Sequence, residues 1–305
     1  MKLSVVIPVY QSAGFLEHTV VTTFEALEDE VDTLELVLVD DNSSDNVWEV
    51  ILQLAANDQR IKGIRLARNH GQHSAIFIGL KHATGELIAT IDDDLQNPPS
   101  EIPKLLSAIK EGHDLAVGSF IAKSHSNYRN LGSKLIHRAV SKIFNSDRNF
   151  SHTNFRVMTR EVADRISEFQ GKFPYINGLA FSCALSPVNV KVRHDKRTEG
   201  HSNYTLKGLL KLSAQILLGF STIPIKLISY LGIFLSLCCF LIGLYALVNS
   251  FLNSGVLVGW SSIMVVISIS NGLIFLALIL ITNLVFRIGE NSEAPSRFLI
   301  REKTP

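Results

Sequence analysis

The run Ile91-Asp92-Asp93-Asp94-Leu95-Gln96-Asn97-Pro98-Pro99 gathers three carboxylates and a neutral side-chain oxygen within five residues, Asp92 to Gln96. Carboxylates this close repel one another, which costs free energy unless a cation or hydrogen-bond donors compensate. Asp92 and Asp94, at spacing i, i+2, with Gln96 beside them, supply hard oxygen ligands suited to Mg²⁺ or Mn²⁺, ions commonly held by one or two carboxylates plus a substrate diphosphate. The plainer reading of an isolated Asp-x-Asp is a solvated acidic turn leading into a helix at Ser100. A second acidic run, Asp40-Asp41-Asn42-Ser43-Ser44-Asp45, offers Asp45 or Ser44 as the cap of a helix beginning near Val47. That leaves Asp40 and Asp41 to face a crevice, where a carboxylate can accept hydrogen bonds from a base N–H or a ribose hydroxyl. Arg68-Asn69-His70-Gly71-Gln72-His73 opens a helix whose backbone N–H groups can meet an anion. His70 and His73, one turn apart, are a weak metal pair and no site by themselves.

The elements that must position these residues are legible as short apolar runs: Leu3 to Val9, Leu34 to Val39, Ile61 to Leu66, Leu87 to Ile91 and Leu115 to Val117. Between them lie segments of helical period such as Ser74 to His82 and Glu101 to Lys110. Strands spaced by helices, continuous rather than alternating in their apolar character, predict an α/β fold with a mostly parallel sheet covered on both faces. In such sheets ligands bind at the carboxyl ends of strands. The polar residues that follow the runs, Tyr10 and Gln11, Asp40 and Asp41, Arg68 and Asn69, and Asp92 to Gln96, are therefore the candidate site. A helical stretch around Arg129 to Phe144 and a strand at Ser186 to Val192 follow in a less regular region.

Charge is distributed unevenly. The chain has 305 residues with 29 basic and 28 acidic side chains, a formal charge of +1, so a nucleic-acid partner held by bulk charge is excluded. From Leu227 to Phe286, sixty residues carry no Asp, Glu, Lys, Arg or His, and the 226 residues before them hold 25 basic and 25 acidic side chains. Leu227 to Val248 and Ile263 to Phe286 are each long enough, as helices, to cross a hydrocarbon core of roughly 30 Å. Lys207, Lys211 and Lys226 precede the first span; Arg287, Arg297, Arg301 and Lys303 follow the second; the connecting loop is uncharged. The positive-inside rule then puts both termini in the cytoplasm and makes the chain a multi-pass protein of the cytoplasmic (inner) membrane. A cleaved signal peptide is not expected, because Leu3 to Val9 is too short and polar sequence follows it. The predicted organisation is a cytoplasmic catalytic domain over 1–204, an amphipathic interfacial helix over 205–226, a transmembrane hairpin over 227–286 and a cytoplasmic tail over 287–305. Three cysteines, two of them adjacent at Cys238 and Cys239, make no disulfide framework and fit a reducing compartment.

Taken in order, Pro8-Val9-Tyr10, VDDNSSD at Val39 to Asp45, RNHGQHSA at Arg68 to Ala75 and DDDLQNPPSEIPKLL at Asp92 to Leu106 resemble the family 2 glycosyltransferases of the GT-A, Rossmann-like fold. The match is to the branch that moves a sugar from a nucleotide to a polyprenyl phosphate: dolichyl-phosphate mannose synthases, bactoprenol glucosyltransferases and undecaprenyl-phosphate aminoarabinose transferases. It covers nearly the whole chain, including both spans. The resemblance implies that Asp92, Asp94 and Gln96 hold a divalent cation and that Asp41 lies against the base. Pro8, Tyr10, Asp40, Arg68 and Asp93 would share in the nucleotide-sugar site. By the same resemblance Arg129 and Ser133 match an acceptor-phosphate motif, and Arg197-x-x-Gly200-x-Ser202-x-Tyr204 matches a downstream motif whose arginine also faces phosphate. Asp94, Arg129, Ser133 and Arg197 are then the residues closest to the chemistry. A guanidinium and a hydroxyl four residues apart lie on one helix face and can grip one phosphate. The chain departs from the family pattern at Gln11 and Ser12, where Asn and Glu are usual, at Phe120, where Arg is common, and at Thr153-Asn154-Phe155-Arg156, which stands in place of Gly-Phe-Arg.

The implied reaction is attack of a lipid phosphate oxygen on the anomeric carbon of a nucleotide sugar, with inversion, at the cytoplasmic membrane face, in cell-envelope glycan, lipid A or O-antigen modification. A phosphate acceptor is already anionic, so the leaving diphosphate is what needs help, from a metal and arginines. Expected partners are the nucleotide sugar, the polyprenyl phosphate and the bilayer, with room for a homo-oligomer and for a flippase and a downstream transferase of the same pathway. Rival readings are a transferase to a hydroxyl-bearing lipid, which would need a placed base, and a non-catalytic membrane module that binds nucleotide sugars for a flippase. A processive polysaccharide synthase is disfavoured, because no Gln-x-x-Arg-Trp motif is present.

Overall fold

The computed structural model describes residues 1–120, 150–171, 174–194, 223–252, 259–291 and 298–304. The chain divides into two compact units, Met1–Ser213 with Ala294–Pro305, and Ala214–Glu293.

In the first unit the apolar runs become β1 (Lys2–Val9), β2 (Thr33–Asp40), β3 (Ile61–Leu66), β4 (Leu87–Thr90) and β5 (Leu115–Phe120). Helices α1 (Leu16–Leu27), α2 (Val47–Asn57), α3 (Gln72–His82) and α4 (Ile102–Lys110) lie between them. After β5 come β6 (Arg156–Thr159), α5 (Arg160–Ser167), α6 (Ile176–Cys183) and β7 (Pro187–Val192). The eight-stranded sheet has the order β7-β5-β6-β4-β1-β2-β3-β8, where β8 is Ile300–Lys303. β1 pairs in parallel with β2 and β4, and β2 with β3. The central strands are buried from end to end because helices cover both faces, which is why their sequences do not alternate. Helices α1, α2 and α4 pack on one face; α3, α5 and α6 pack on the other. Gly79 lets α3 lie close on the sheet, since a Cβ there would overlap Val6.

Two features depart from the simple alternation. β6 enters antiparallel between β4 and β5, so β5 is not β4's neighbour. Within the expected C-terminal tail, 287–305, Ile300–Lys303 form β8, antiparallel to β3.

The second unit is a pair of packed helices, α7 (Ile223–Leu252) and α8 (Trp260–Asn291), both long and apolar enough to cross a membrane. The predicted spans 227–248 and 263–286 lie inside them, and α7 begins within the segment read as an interfacial helix. Small residues line their contact: Gly232 faces Ile279, Gly243 faces Ser268, and the Ser236 hydroxyl donates to the Gly272 carbonyl at 3.1 Å. Leu237, Leu244, Ile263, Leu273 and Leu280 are more than half exposed. An apolar exterior on helices of this length is solvated by lipid rather than by water, and the chain is a membrane protein.

Candidate active site

The chain lays down β2 and β3 on one side of β1 and β4 on the other, so the strand order switches at β1 and β4, and the crevice outside their carboxyl ends is where an open α/β sheet binds ligands. Three loops end there. Each holds a non-glycine residue in the left-handed region: Gln11 at φ 53° after β1, Asn42 at φ 57° after β2 and Leu95 at φ 54° after β4. Such backbone costs on the order of 1 kcal/mol per residue and persists only where neighbours over-determine it.

The neighbours are specific. Gln11 N–H donates to Ser43 Oγ at 3.0 Å, Gln11 Nε2 to Ser44 Oγ at 3.0 Å, and Ala13 N–H to Asp45 Oδ2 at 3.0 Å. Asp45 and Ser44 therefore tie the β1 loop to the β2 loop, and neither caps α2, whose N-terminus at Asn46 has no side-chain cap. Thr19 Oγ1 on α1 donates to the Asp93 carbonyl at 2.7 Å, fastening the acidic loop to the same helix.

Asp41 is 3% exposed; its Oδ1 accepts the His70 N–H at 2.8 Å and its Oδ2 the Gly71 N–H at 2.7 Å. Burial nevertheless pushes its pKa up to about 6, because loss of water, with Asp40 adding repulsion, outweighs the two N–H donors. Asp40 is fully buried: Oδ1 accepts Ser43 N–H at 2.8 Å and Oδ2 faces Arg65 Nε at 3.3 Å. The carboxylate of Asp40 thus points into the scaffold behind Asp41 rather than into the crevice. Tyr10 is 41% exposed at the mouth, and Arg68 stands exposed on the loop after β3. Pro8 is buried in β1 beyond its last pair with β4, Val6 with Thr90, where a missing N–H on that side is tolerated.

Asp92 leaves β4 into a cluster of amides. Its Oδ1 accepts from Gln72 Nε2 at the start of α3 and from Asn154 Nδ2 at 3.3 Å. Burial first, and then the like charge of Asp94, push its pKa up to about 6; burial does the same to Asp93, which accepts the Tyr10 N–H at 3.4 Å. Asp94 Oδ1 accepts the Gln96 backbone N–H at 3.2 Å, which turns the loop tightly between the two residues. Among the described residues no three His, Cys, Asp or Glu converge as a complete metal cage. Two carboxylates and an amide oxygen are the partial set expected where substrate diphosphate completes the coordination, and the mutual repulsion of Asp92 and Asp94 is of the sign a divalent cation relieves. The residues fit such an ion.

Behind Asp92 lies a buried guanidinium that sequence reasoning did not assign. Arg156 is 2% exposed; it donates to the Ile176 carbonyl at 3.2 Å, to Asn154 Oδ1 at 3.1 Å and to Asn177 Oδ1. Burial draws its pKa down to about 10, so it stays charged at neutral pH, and it lies close enough to Asp92 to attract it. A single Arg opening the apolar run Arg156-Val157-Met158 was the available signal. His73 packs edge-on to Tyr175 at 4.9 Å, and burial, with Arg156 adding to it, pushes it down to about 3, so it is neutral. His70 serves through its backbone; neither histidine joins a metal-holding group among the described residues. Arg129, Ser133, Arg197 and Ser202 lie outside the described residues.

A family model described as glycosyl transferase family 2 matches residues 4–170. The chain is 31% identical over 305 residues to the undecaprenyl-phosphate 4-deoxy-4-formamido-L-arabinose transferase of Proteus mirabilis (strain HI4320), covering 99% of this chain and 93% of that one. It is 29% identical over 303 residues to the uncharacterized glycosyltransferase YkcC of Bacillus subtilis (strain 168), with 99% and 94% covered. Among solved structures it is similar to glucosyl-3-phosphoglycerate synthase from Mycobacterium tuberculosis in complex with Mn²⁺, UDP-glucose and phosphoglyceric acid. That likeness has a TM-score of 0.51 and 20% identity, covers 71% of this chain and 77% of the other, and bears on the fold alone.

Proposed function

The chain belongs to glycosyltransferase family 2, and from that premise we propose that it transfers a sugar from a nucleoside-diphosphate donor to undecaprenyl phosphate at the cytoplasmic face of the membrane. The observation that carries the reading is the convergence, at the switch between β1 and β4, of Asp92 and Asp94 with Tyr10 and Asp41 on three mutually braced loops. The acceptor follows the named activity of the Proteus relative, aligned over 99% of this chain.

Asp41 would receive the base, its orientation set by the His70 and Gly71 N–H groups, with Tyr10 exposed to stack beside it and Asp40 bracing the loop from behind. Asp92, Asp94 and Gln96 would hold Mg²⁺ or Mn²⁺, which when bound neutralises charge developing on the leaving diphosphate. Gln72 and Asn154 aim Asp92, and Arg156 offsets part of its charge from the protein side. Arg129 with Ser133, and Arg197 with Ser202, are proposed to grip the acceptor phosphate. The acceptor oxygen forms the new bond to the anomeric carbon from the face opposite the nucleotide, the glycosidic C–O bond breaks, and the nucleoside diphosphate departs with inversion. No general base is needed, since the attacking oxygen is already anionic.

The proposed organisation is a catalytic domain, an interfacial segment and a two-span hairpin with both termini cytoplasmic. β8 supports that topology: residues beyond α8 pair with a strand of the catalytic sheet, as expected of a chain that crosses an even number of times between them. The asymmetry of basic residues sets the side. Asp92→Ala in the full-length protein is expected to reduce transfer at least about a thousandfold while the protein still inserts and folds. Full activity in that variant would refute the metal assignment.

A further inference from the structure

We propose that the segment following the second membrane helix, Phe298 to Lys303, is a positioning element of the nucleotide site, holding Arg65 against Asp40 and the His70 loop against Asp41. The proposal rests on the reading that Asp41 receives the nucleotide.

An edge strand whose only task is to shield β3 needs backbone pairing and polar side chains. This one does more, at two places. Pairing of Arg65 with Glu302 and Leu66 with Ile300 is followed by an Ala67 N–H to Leu299 carbonyl bond at 2.8 Å, which carries the strand past the end of β3 to the start of the 67–71 loop. There the Phe298 ring meets His70 edge-on at 5.3 Å and tilts against Phe77 of α3 at 5.8 Å. The His70 and Gly71 N–H groups between those rings and the crevice are the two that hold the Asp41 carboxylate.

The second place is Glu302. Its Oε2 accepts the Trp48 indole N–H at 2.9 Å, and its Oε1 lies 3.7 Å from Arg65 Nη1. The Arg65 guanidinium lies over the Trp48 ring at 5.8 Å and presents Nε to Asp40 Oδ2 at 3.3 Å. That last contact lacks hydrogen-bond geometry, so its strength depends on what holds the guanidinium in place, namely Trp48 and Glu302. Asp40 in turn orders the loop carrying Asp41, through Ser43 N–H, and Ser43 Oγ takes the Gln11 N–H of the β1 loop. A buried carboxylate whose cation drifts away is left uncompensated, and the loop it braces is expected to loosen. Two independent routes, one aromatic and one ionic, therefore run from the same segment to the two sides of Asp41. Six residues separate Phe298 from the end of α8, so the loops of the proposed donor site are braced by a piece of chain that follows both membrane helices in sequence.

The test uses full-length protein in detergent with Mn²⁺, titrated calorimetrically with UDP, GDP and dTDP. Wild type, Phe298→Ala, Glu302→Ala and Glu302→Gln are compared. Phe298→Ala and Glu302→Ala are each expected to weaken the nucleotide that wild type binds by about tenfold, and Glu302→Gln, which keeps an acceptor for Trp48 but no charge for Arg65, by about threefold. In transfer assays the donor KM should rise by the same factors, with kcat and the KM for undecaprenyl phosphate unchanged. Should Phe298→Ala fail to accumulate, Phe298→Leu keeps bulk without the ring and is expected to raise donor KM less, in the same direction. Unchanged nucleotide affinity in Phe298→Ala and Glu302→Ala, even with a lowered unfolding midpoint, would overturn the proposal. So would a parallel loss of kcat and acceptor affinity. Wild type that binds none of the three nucleotides would instead overturn the donor reading on which the proposal stands.

Discussion

Replacing Asp41 by asparagine separates two effects that the structure sets against each other. The wild-type carboxyl group, ionised or protonated, presents an acceptor oxygen to each of two backbone N–H groups, and an amide can satisfy only one while aiming its own NH₂ at the other. The orphaned N–H costs about 1–3 kcal/mol. Against this, burial pushes Asp41 up from 3.8 to about 6, a cost that asparagine escapes. Between those values the folded chain binds a proton that the unfolded chain has released, so this group's contribution to stability falls as pH rises through the window. The full loss is about 3 kcal/mol, of which about 2 kcal/mol falls between pH 4.5 and pH 8. Asp41→Asn should therefore be less stable than wild type at pH 4.5 and approach or pass it at pH 8. Thermal unfolding of the two full-length proteins in one detergent, across that range, reads the difference in apparent midpoint. A gap that stays constant with pH, or widens as pH rises, would refute the reasoning.

Arg156→Ala removes a buried guanidinium bonded to Ile176, Asn154 and Asn177 and should lower stability by about 3–5 kcal/mol, seen as a lowered unfolding midpoint; a midpoint within a degree of wild type would contradict it. Gly63→Ala places a Cβ in overlap with Ile51 and 2.9 Å from Thr304 Cγ2, and is expected to cost about 1–3 kcal/mol, again read by midpoint, with donor KM rising if the β8 segment shifts. Chelation with EDTA should stop transfer, and Mn²⁺ or Mg²⁺ should restore it; undiminished transfer in excess EDTA would exclude the ion at Asp92 and Asp94.

The parallel half of the sheet was legible because β1, β2 and β4 are buried on both faces and must be apolar throughout, which separates them from the polar loops at their ends. The acidic loops stood out for the same reason. The roles of Asp40 and Asp45 did not: which carboxylate turns inward depends on where Arg65 and the Ala13 N–H end up, and both come from other loops. The amides that hold Asp92, Gln72 and Asn154, have no sequence signature, since a neutral side chain becomes a ligand-positioning group only through its neighbours. β8 was hidden for a further reason: Ile300-Arg301-Glu302-Lys303 is short and charged, as an exposed edge strand should be, and the Thr304 hydroxyl just beyond it accepts the Gly63 N–H across 241 residues of chain.

The central claim is sugar transfer to a lipid phosphate. Full-length protein in detergent, given Mn²⁺, undecaprenyl phosphate and in turn UDP-, GDP- and dTDP-sugars, should convert one donor class to a lipid-linked sugar whose anomeric configuration is inverted, and should give none with the dephosphorylated lipid alcohol. No product from any donor, or equal transfer to the alcohol, would contradict the account.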